Sequence, residues 1–300
     1  MTYTLQFDGT AELVKHSSTI WGQMNIFNNQ TDVTAMQRNA VPQVAITSQQ
    51  GKRGDENDDH AAWFAVERSD RQFMVYVGVV ADGVTSTAGG AKASAIAVSA
   101  IEAALREAPD PQETLSEWFA GAVVHANEEI LFEARRHPEW QGMSSTVVMA
   151  ALAGTKLYVM YMGDSRAYLL RNGQMHQLTT DHTWAQAAVT AGAITASEAA
   201  THPGRNQLQR YLGAQHTINV ARGVLNPQSG QVDEYLTIEL GDQLLLCTDG
   251  VYHRLPDASI RQMLLTHADN AQAAADGLVA AAIANGETDD VTALVLTIPA

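Results

Sequence analysis

Apolar and β-branched residues run almost unbroken from Phe73 to Ala81, and the run stops on Asp82-Gly83. A strand of that composition is covered on both faces. An acid at its end is not there for packing. The glycine after it allows a sharp turn and lets an ion approach its carbonyl. Far downstream the pattern returns as Leu244-Leu245-Leu246-Cys247-Thr248-Asp249-Gly250. Two buried strands ending in Asp-Gly predict two carboxylates brought to one place.

The same patterning predicts the remaining elements. Residues 1 to 42 are polar and read as an N-terminal extension able to add an edge strand; one domain follows over 43–300. It opens with a strand at Pro42–Ser48, a charged loop at Gly51–Asp59 and a strand from Ala61 to Glu67. That strand pairs, across Arg68–Arg71, with the one leading into Asp82. A helix over Ala91–Glu107 places Ile96, Ala100, Ile101 and Leu105 on one face. A second is expected to start at Asp110-Pro111, carry Leu115, Phe119, Val123, Ala126, Ile130 and Phe132, and end near His137-Pro138. Strands then follow at 146–152, 157–162 and 167–170, with a hairpin turn at Arg171-Asn172-Gly173. Residues 182–213 read as mostly helical and exposed. Strands are expected at 219–224, 234–239, 243–247 and 291–297, and helices at 258–267 and 271–284. Paired helices set between groups of strands argue for an α+β class.

Composition narrows the functions. With 46% apolar residues the 300-residue chain can build a large core. A net charge of −15 disfavours nucleic acid and anionic membrane as partners. No run approaches the roughly 20 apolar residues of a membrane span, and the first residues lack a basic leader, so the cytoplasm is the expected location. Cys247, the single cysteine, sits among strand residues as core and rules out an internal disulfide or a thiolate zinc cage.

Acids gather at the predicted strand ends: Asp58, Asp59, Asp82, Asp164, Asp249, Asp289 and Asp290. Any one alone reads as a turn or a cap. As a set they pose an electrostatic problem, since two like charges about 4 Å apart cost on the order of 4 kcal/mol at an effective dielectric of about 20. Either protons or cations must lie among them. Carboxylates with a glycine carbonyl are hard ligands, which points to Mg²⁺ or Mn²⁺.

At this point the chain resembles the bacterial metal-dependent protein phosphatases of the PPM type, also called protein phosphatase 2C-like, over roughly residues 43 to 298. Asp82-Gly83 with Gly90-Ala91-Lys92-Ala93-Ser94 is similar to the family's Asp-Gly loop and helix start, and Gly142-Met143-Ser144-Ser145-Thr146 to its Gly-Thr-Thr strand. Gly163-Asp164-Ser165-Arg166, Leu178–His182, His202–Gly213, Thr248-Asp249-Gly250 and Asp289-Asp290-Val291-Thr292 follow in family order. The resemblance implies two packed antiparallel sheets flanked by helices, a four-layer αββα sandwich. It also implies two Mn²⁺ or Mg²⁺ ions, with a weaker third, that hydrolyse phosphoserine and phosphothreonine on proteins, the targets of a bacterial Ser/Thr kinase. Asp82 would bridge the metals, the Gly83 carbonyl would bind one, and Asp249 and Asp289 would hold the other. Asp58 or Asp59 would act directly or through water, and Asp164 would serve the third ion.

Three positions depart from the pattern. The family's phosphate-binding arginine would fall on Gly54, with Arg53 displaced by one residue; a guanidinium reaches far enough to serve. Asp58 stands where Glu or Gln is usual, and His253 where Asp often follows Asp-Gly-x-x. His182 and His253 are candidate proton shuttles set against a structural role. Two other readings compete with the phosphatase: a catalytically weak phosphoprotein-binding or regulatory module, and a phosphohydrolase of small esters. Nucleotides find no Gly-x-x-x-x-Gly-Lys loop here.

Overall fold

Side-chain parity sorts the strands into layers. In a strand, alternate residues face opposite sides. Along Phe73–Asp82, Val75, Val77 and Val79 pack against helices, whereas Tyr76 and Val80 pack against another sheet. In a computed structural model the chain is described over residues 2–3, 42–68, 73–84, 86–107 and 109–299.

The described elements, in chain order, begin with β1 (Thr2–Tyr3), β2 (Gln43–Gln49), β3 (Asp59–Arg68), β4 (Phe73–Asp82), α1 (Gly90–Arg106) and α2 (Leu115–Arg136). Next come β5 (Val147–Ala153), β6 (Lys156–Met162), β7 (Arg166–Arg171), β8 (Gln174–Gln177), α3 (Trp184–Thr190) and α4 (Ala196–Thr201). Four two-residue strands follow: β9 (Ala221–Arg222), β10 (Val224–Leu225), β11 (Val232–Asp233) and β12 (Leu236–Thr237). The chain ends with β13 (Gln243–Cys247), α5 (Asp249–Tyr252), α6 (Asp257–Thr266), α7 (Ala271–Ala284) and β14 (Val291–Thr297).

Among these residues, one sheet has the order β1-β2-β14-β13-β7-β8. The other runs β12-β6-β5-β4-β3 with β9 added on β6, and β10-β11 form a separate pair. All pairings are antiparallel. Three apolar layers hold the stack together. Ile101, Phe119 and Ile130 of α1 and α2 cover the outer face of the second sheet. Trp63, Tyr76, Leu246, Leu294 and Leu296 fill the space between sheets. Leu278, Val279 and Ala282 of α7 cover Leu245, Ala293 and Val295 on the outer face of the first. This is the αββα sandwich of the α+β class.

Several boundaries differ from expectation. Helix α2 starts at Leu115, because Thr114 and Glu117 form a reciprocal capping box. Asp110 instead closes a short turn that accepts from Gln112 N. Over 182–213 only α3 and α4 are helical. The strands expected at 219–224 and 234–239 shrink to two-residue pieces because both lie along one edge of β6. Ala221 and Arg222 take Tyr161 and Met160, while Leu236 and Thr237 take Leu157 and Lys156. The hairpin at Arg171–Gly173 is present, with Asn172 and Gly173 both at positive φ (50° and 73°), as a two-residue turn of the primed type requires. The extension lies outside the described residues apart from Thr2, Tyr3 and Pro42, and so does the 68–71 turn beyond Arg68. Thr2 and Tyr3 pair with Thr47 and Ile46 at the sheet edge. No helix among the described residues is long and apolar enough to cross a membrane.

Candidate metal centre

Parity also decides which acids meet. Asp82 shares its face with Tyr76 and Val80, so it ends the strand pointing into the layer between the sheets. Asp59 lies directly opposite Asp82 on β3 and shares the face of Trp63. From the other sheet, Thr248 continues the face of Leu244 and Leu246, and Thr292 that of Leu294. At this end the apolar layer between the sheets thus gives way to Asp59, Asp82, Thr248 and Thr292. Thr248 Oγ1 donates to Asp59 Oδ2 at 2.8 Å, and Thr292 N donates to Thr248 Oγ1 at 3.1 Å.

The Asp82-Gly83 turn is fixed through its backbone. Asp82 O accepts from Thr146 N (2.8 Å) and Ser145 Oγ (3.0 Å), and Gly83 N donates to Asp58 O (3.0 Å). A Cβ on Gly83 would lie 2.2 Å from Gly90 O, so the residue must be glycine for α1 to start so close. Gly250 serves the second Asp-Gly in the same way: its Cβ would lie 2.1 Å from Asp290 O, where the approach to β14 meets α5. That contact sets Asp249 beside Asp289. Asp164 sits where the chain crosses from β6 in one sheet to β7 in the other. Its carbonyl accepts from Tyr252 OH at 2.9 Å, and the preceding Gly163 N donates to His182 Nδ1 at 3.1 Å.

Electrostatics mark the cluster. Loss of solvent raises the Asp82 carboxyl well above the carboxylate range, and Asp59, Asp249, Asp164 and Asp289 push it the same way. Burial raises Asp59 against the pull of the Thr292 and Thr248 hydroxyls. It raises Asp164 together with the charges of Asp249 and Asp181. Asp249 is pushed up to about 6 by burial and by Glu287. Asp289 also reaches about 6, raised by burial and by Asp249 while Arg53 pulls it down.

Five of the predicted acids, Asp59, Asp82, Asp164, Asp249 and Asp289, thus act on one another. Asp58 is oriented otherwise. Its Oδ1 accepts from Ala91 N at 2.8 Å and so caps α1 from another element, Gly89 at the helix start having no side chain to do so. Arg53 reaches the cluster, its Nη1 pairing with Asp289 Oδ2. Cys247 is fully buried in β13, and burial pushes its thiol well up.

Sequence reasoning counted Asp290 among the clustered acids without a role of its own, and gave Glu287 and the two threonines none. Asp290 takes Gly51 N and Asp58 N on its two oxygens, both at 2.6 Å, and so holds the 51–58 loop. Glu287 Oε1 accepts from Thr288 N and Asp289 N. The signal available for the threonines was their strand parity.

Comparison with known proteins settles the ancestry. The family model described as Protein phosphatase 2C matches residues 48–285. The chain belongs to the protein phosphatase 2C family. It is 30% identical over 248 residues to the serine/threonine phosphatase stp of Listeria innocua, covering 82% of this chain and 92% of that one. The crystal structure of the Mycobacterium tuberculosis serine/threonine phosphatase PstP/Ppp superposes with a TM-score of 0.72 at 27% identity, covering 86% of this chain and 99% of that one. The catalytic domain of PstP in complex with two manganese ions gives 0.69 at 26%, covering 87% and 100%.

The donor set of this phosphatase 2C chain fits such ions. It offers hard oxygens, with carboxylates kept at close quarters and raised by one another's charge, and a glycine whose Cβ position the fold fills. Among the described residues no three His, Cys, Asp or Glu side chains are already closed around one point.

Proposed function

We propose that the chain hydrolyses phosphoserine and phosphothreonine on proteins that a Ser/Thr kinase has modified, and that it does so in the cytoplasm. The observation that carries this reading is the meeting of Asp59, Asp82, Asp164, Asp249 and Asp289, from separate strand ends, at the open end of the inter-sheet layer. Asp82, the Gly83 carbonyl, Asp249 and Asp289 would hold two Mn²⁺ or Mg²⁺ ions. Asp59 would act directly or through water, and Asp164 would help with a third. Bound there, the ions would lower the pKa of the attacking water and neutralise phosphoryl oxygens. The protein's own part is to keep the acids fixed. The Thr248 and Thr292 hydroxyls orient Asp59, and the Thr146 N–H and Ser145 hydroxyl lock the Asp82 carbonyl. No residue need become phosphorylated, and the buried Cys247 thiol is no nucleophile.

Release of phosphate from a phosphothreonine peptide should require Mn²⁺ or Mg²⁺ and stop with EDTA. Equal rates with and without EDTA would refute the reading. Arg53, half exposed beside Asp289, is placed to turn onto the substrate phosphate. Arg53→Ala should raise KM by about tenfold and leave kcat within a few-fold; an unchanged KM would remove Arg53 from the site. The Arg53–Asp289 pair also favours a second reading, phosphoprotein binding without turnover. That reading expects a phosphopeptide to bind and no phosphate to appear.

A further inference from the structure

Helix α5 is a single turn, and its two ends lie at the metal centre. Asp249 begins it, and His253 follows its last residue, with His253 N donating to Asp249 O at 2.9 Å. That closure folds the imidazole back over the carboxylate, leaving His253 Nδ1 3.4 Å from Asp249 Oδ2. The separation exceeds the roughly 2.7–3.2 Å of an N–H···O bond. It does match two ligands of one ion, since metal–ligand bonds of about 2.0–2.1 Å put neighbouring donors about 2.9–3.4 Å apart between octahedral and tetrahedral angles.

The imidazole is held there by its neighbours. Tyr252 meets it edge-on, with ring centroids 5.1 Å apart. Tyr252 is itself anchored, because its hydroxyl donates to the Asp164 carbonyl and its ring lies 3.5 Å beneath the Arg166 guanidinium. Arg166 is in turn forked onto Asp181. The side chain of His253 nevertheless keeps 22% of its surface open.

Resting on the phosphatase reading above, we infer that His253 is a nitrogen ligand to the cation held at Asp249, and that it makes this position prefer a first-row transition ion to Mg²⁺. Imidazole suits such ions, whereas Mg²⁺ keeps to oxygen donors. A carboxylate site would thereby acquire a selectivity that its acids alone do not give.

The test uses the whole chain loaded with Mn²⁺ and read by pulsed electron paramagnetic resonance, which detects ¹⁴N bound to Mn²⁺. The parent should show ¹⁴N modulation, and His253→Gln should lose it while still binding Mn²⁺. By titration calorimetry, the ratio of Mn²⁺ to Mg²⁺ affinity should fall about tenfold in His253→Gln. His253→Ala is the second variant, should the amide of Gln itself take up the ion. Modulation that persists in both variants, or a parent that binds Mn²⁺ without it, overturns the assignment and leaves the phosphatase standing. A parent that binds no Mn²⁺ at all removes both.

Discussion

Asp82→Asn is expected to lower phosphate release from a phosphothreonine peptide by about 10²–10³-fold or more. Its circular dichroism should not change, and it should unfold cooperatively at a temperature no lower than the parent's. The two halves of this result have separate causes. Asp82 holds its place through backbone bonds, with Thr146 N on its carbonyl and Thr146 Oγ1 accepting from its N–H at 3.1 Å, and asparagine keeps all of them. What is lost is the charge that faces Asp59 across the ladder and answers to Asp249, Asp164 and Asp289. Asp249→Asn should behave alike. A variant near parental activity would mean that the charge of Asp82 is not used, and the ligand assignment would fall with it. Loss of activity together with loss of fold would instead point to a structural acid, and Asp82→Ala would separate the two by unfolding at the same temperature as the asparagine variant.

The sequence already displayed the two Asp-Gly strand ends, because a long β-branched run stopping on an acid conflicts with packing. It also displayed the α+β class, since paired helices stand between groups of strands, whereas the sandwich itself came with the family resemblance. Choosing between Asp58 and Asp59 was beyond it while β3 was taken to begin at Ala61. Once the strand begins at Asp59, alternation puts Asp59 with Ala61 and Trp63 on the inter-sheet face and sends Asp58 toward α1. The capping role of Asp58 and the clamp formed by Asp290 depend on close approaches between segments more than 30 and 230 residues apart, and no local pattern records them. The short edge strands were overread for a similar reason, as β6 has only one edge to share.

The second large effect concerns stability without metal. An ordinary Asp titrates near 3.8, whereas Asp249 and Asp289 in the folded chain titrate at about 6. Between these values the folded form keeps protons that the unfolded chain has released, so stability falls as pH rises. Their contribution is fully present below about 4 and lost above about 6. At about 1.4 kcal/mol per pH unit of displacement, the pair sums to at most about 6 kcal/mol. His182 works in the opposite direction: burial, aided by Arg210, lowers it to about 4, so its protonation destabilises the fold as pH falls. The quantity to measure is therefore the difference between the parent and the Asp249→Asn/Asp289→Asn variant, in which the His182 contribution cancels. In EDTA, the parent should melt roughly 10 °C below the variant at pH 7.5, and the gap should close toward pH 4.5. Mn²⁺ at pH 7.5 should raise the parent and leave the variant where it was, because the ion binds only the folded chain and replaces the missing protons. A gap that ignores both pH and Mn²⁺ would show that these carboxylates do not repel one another, and the physical reason for a cation at this sheet end would be gone.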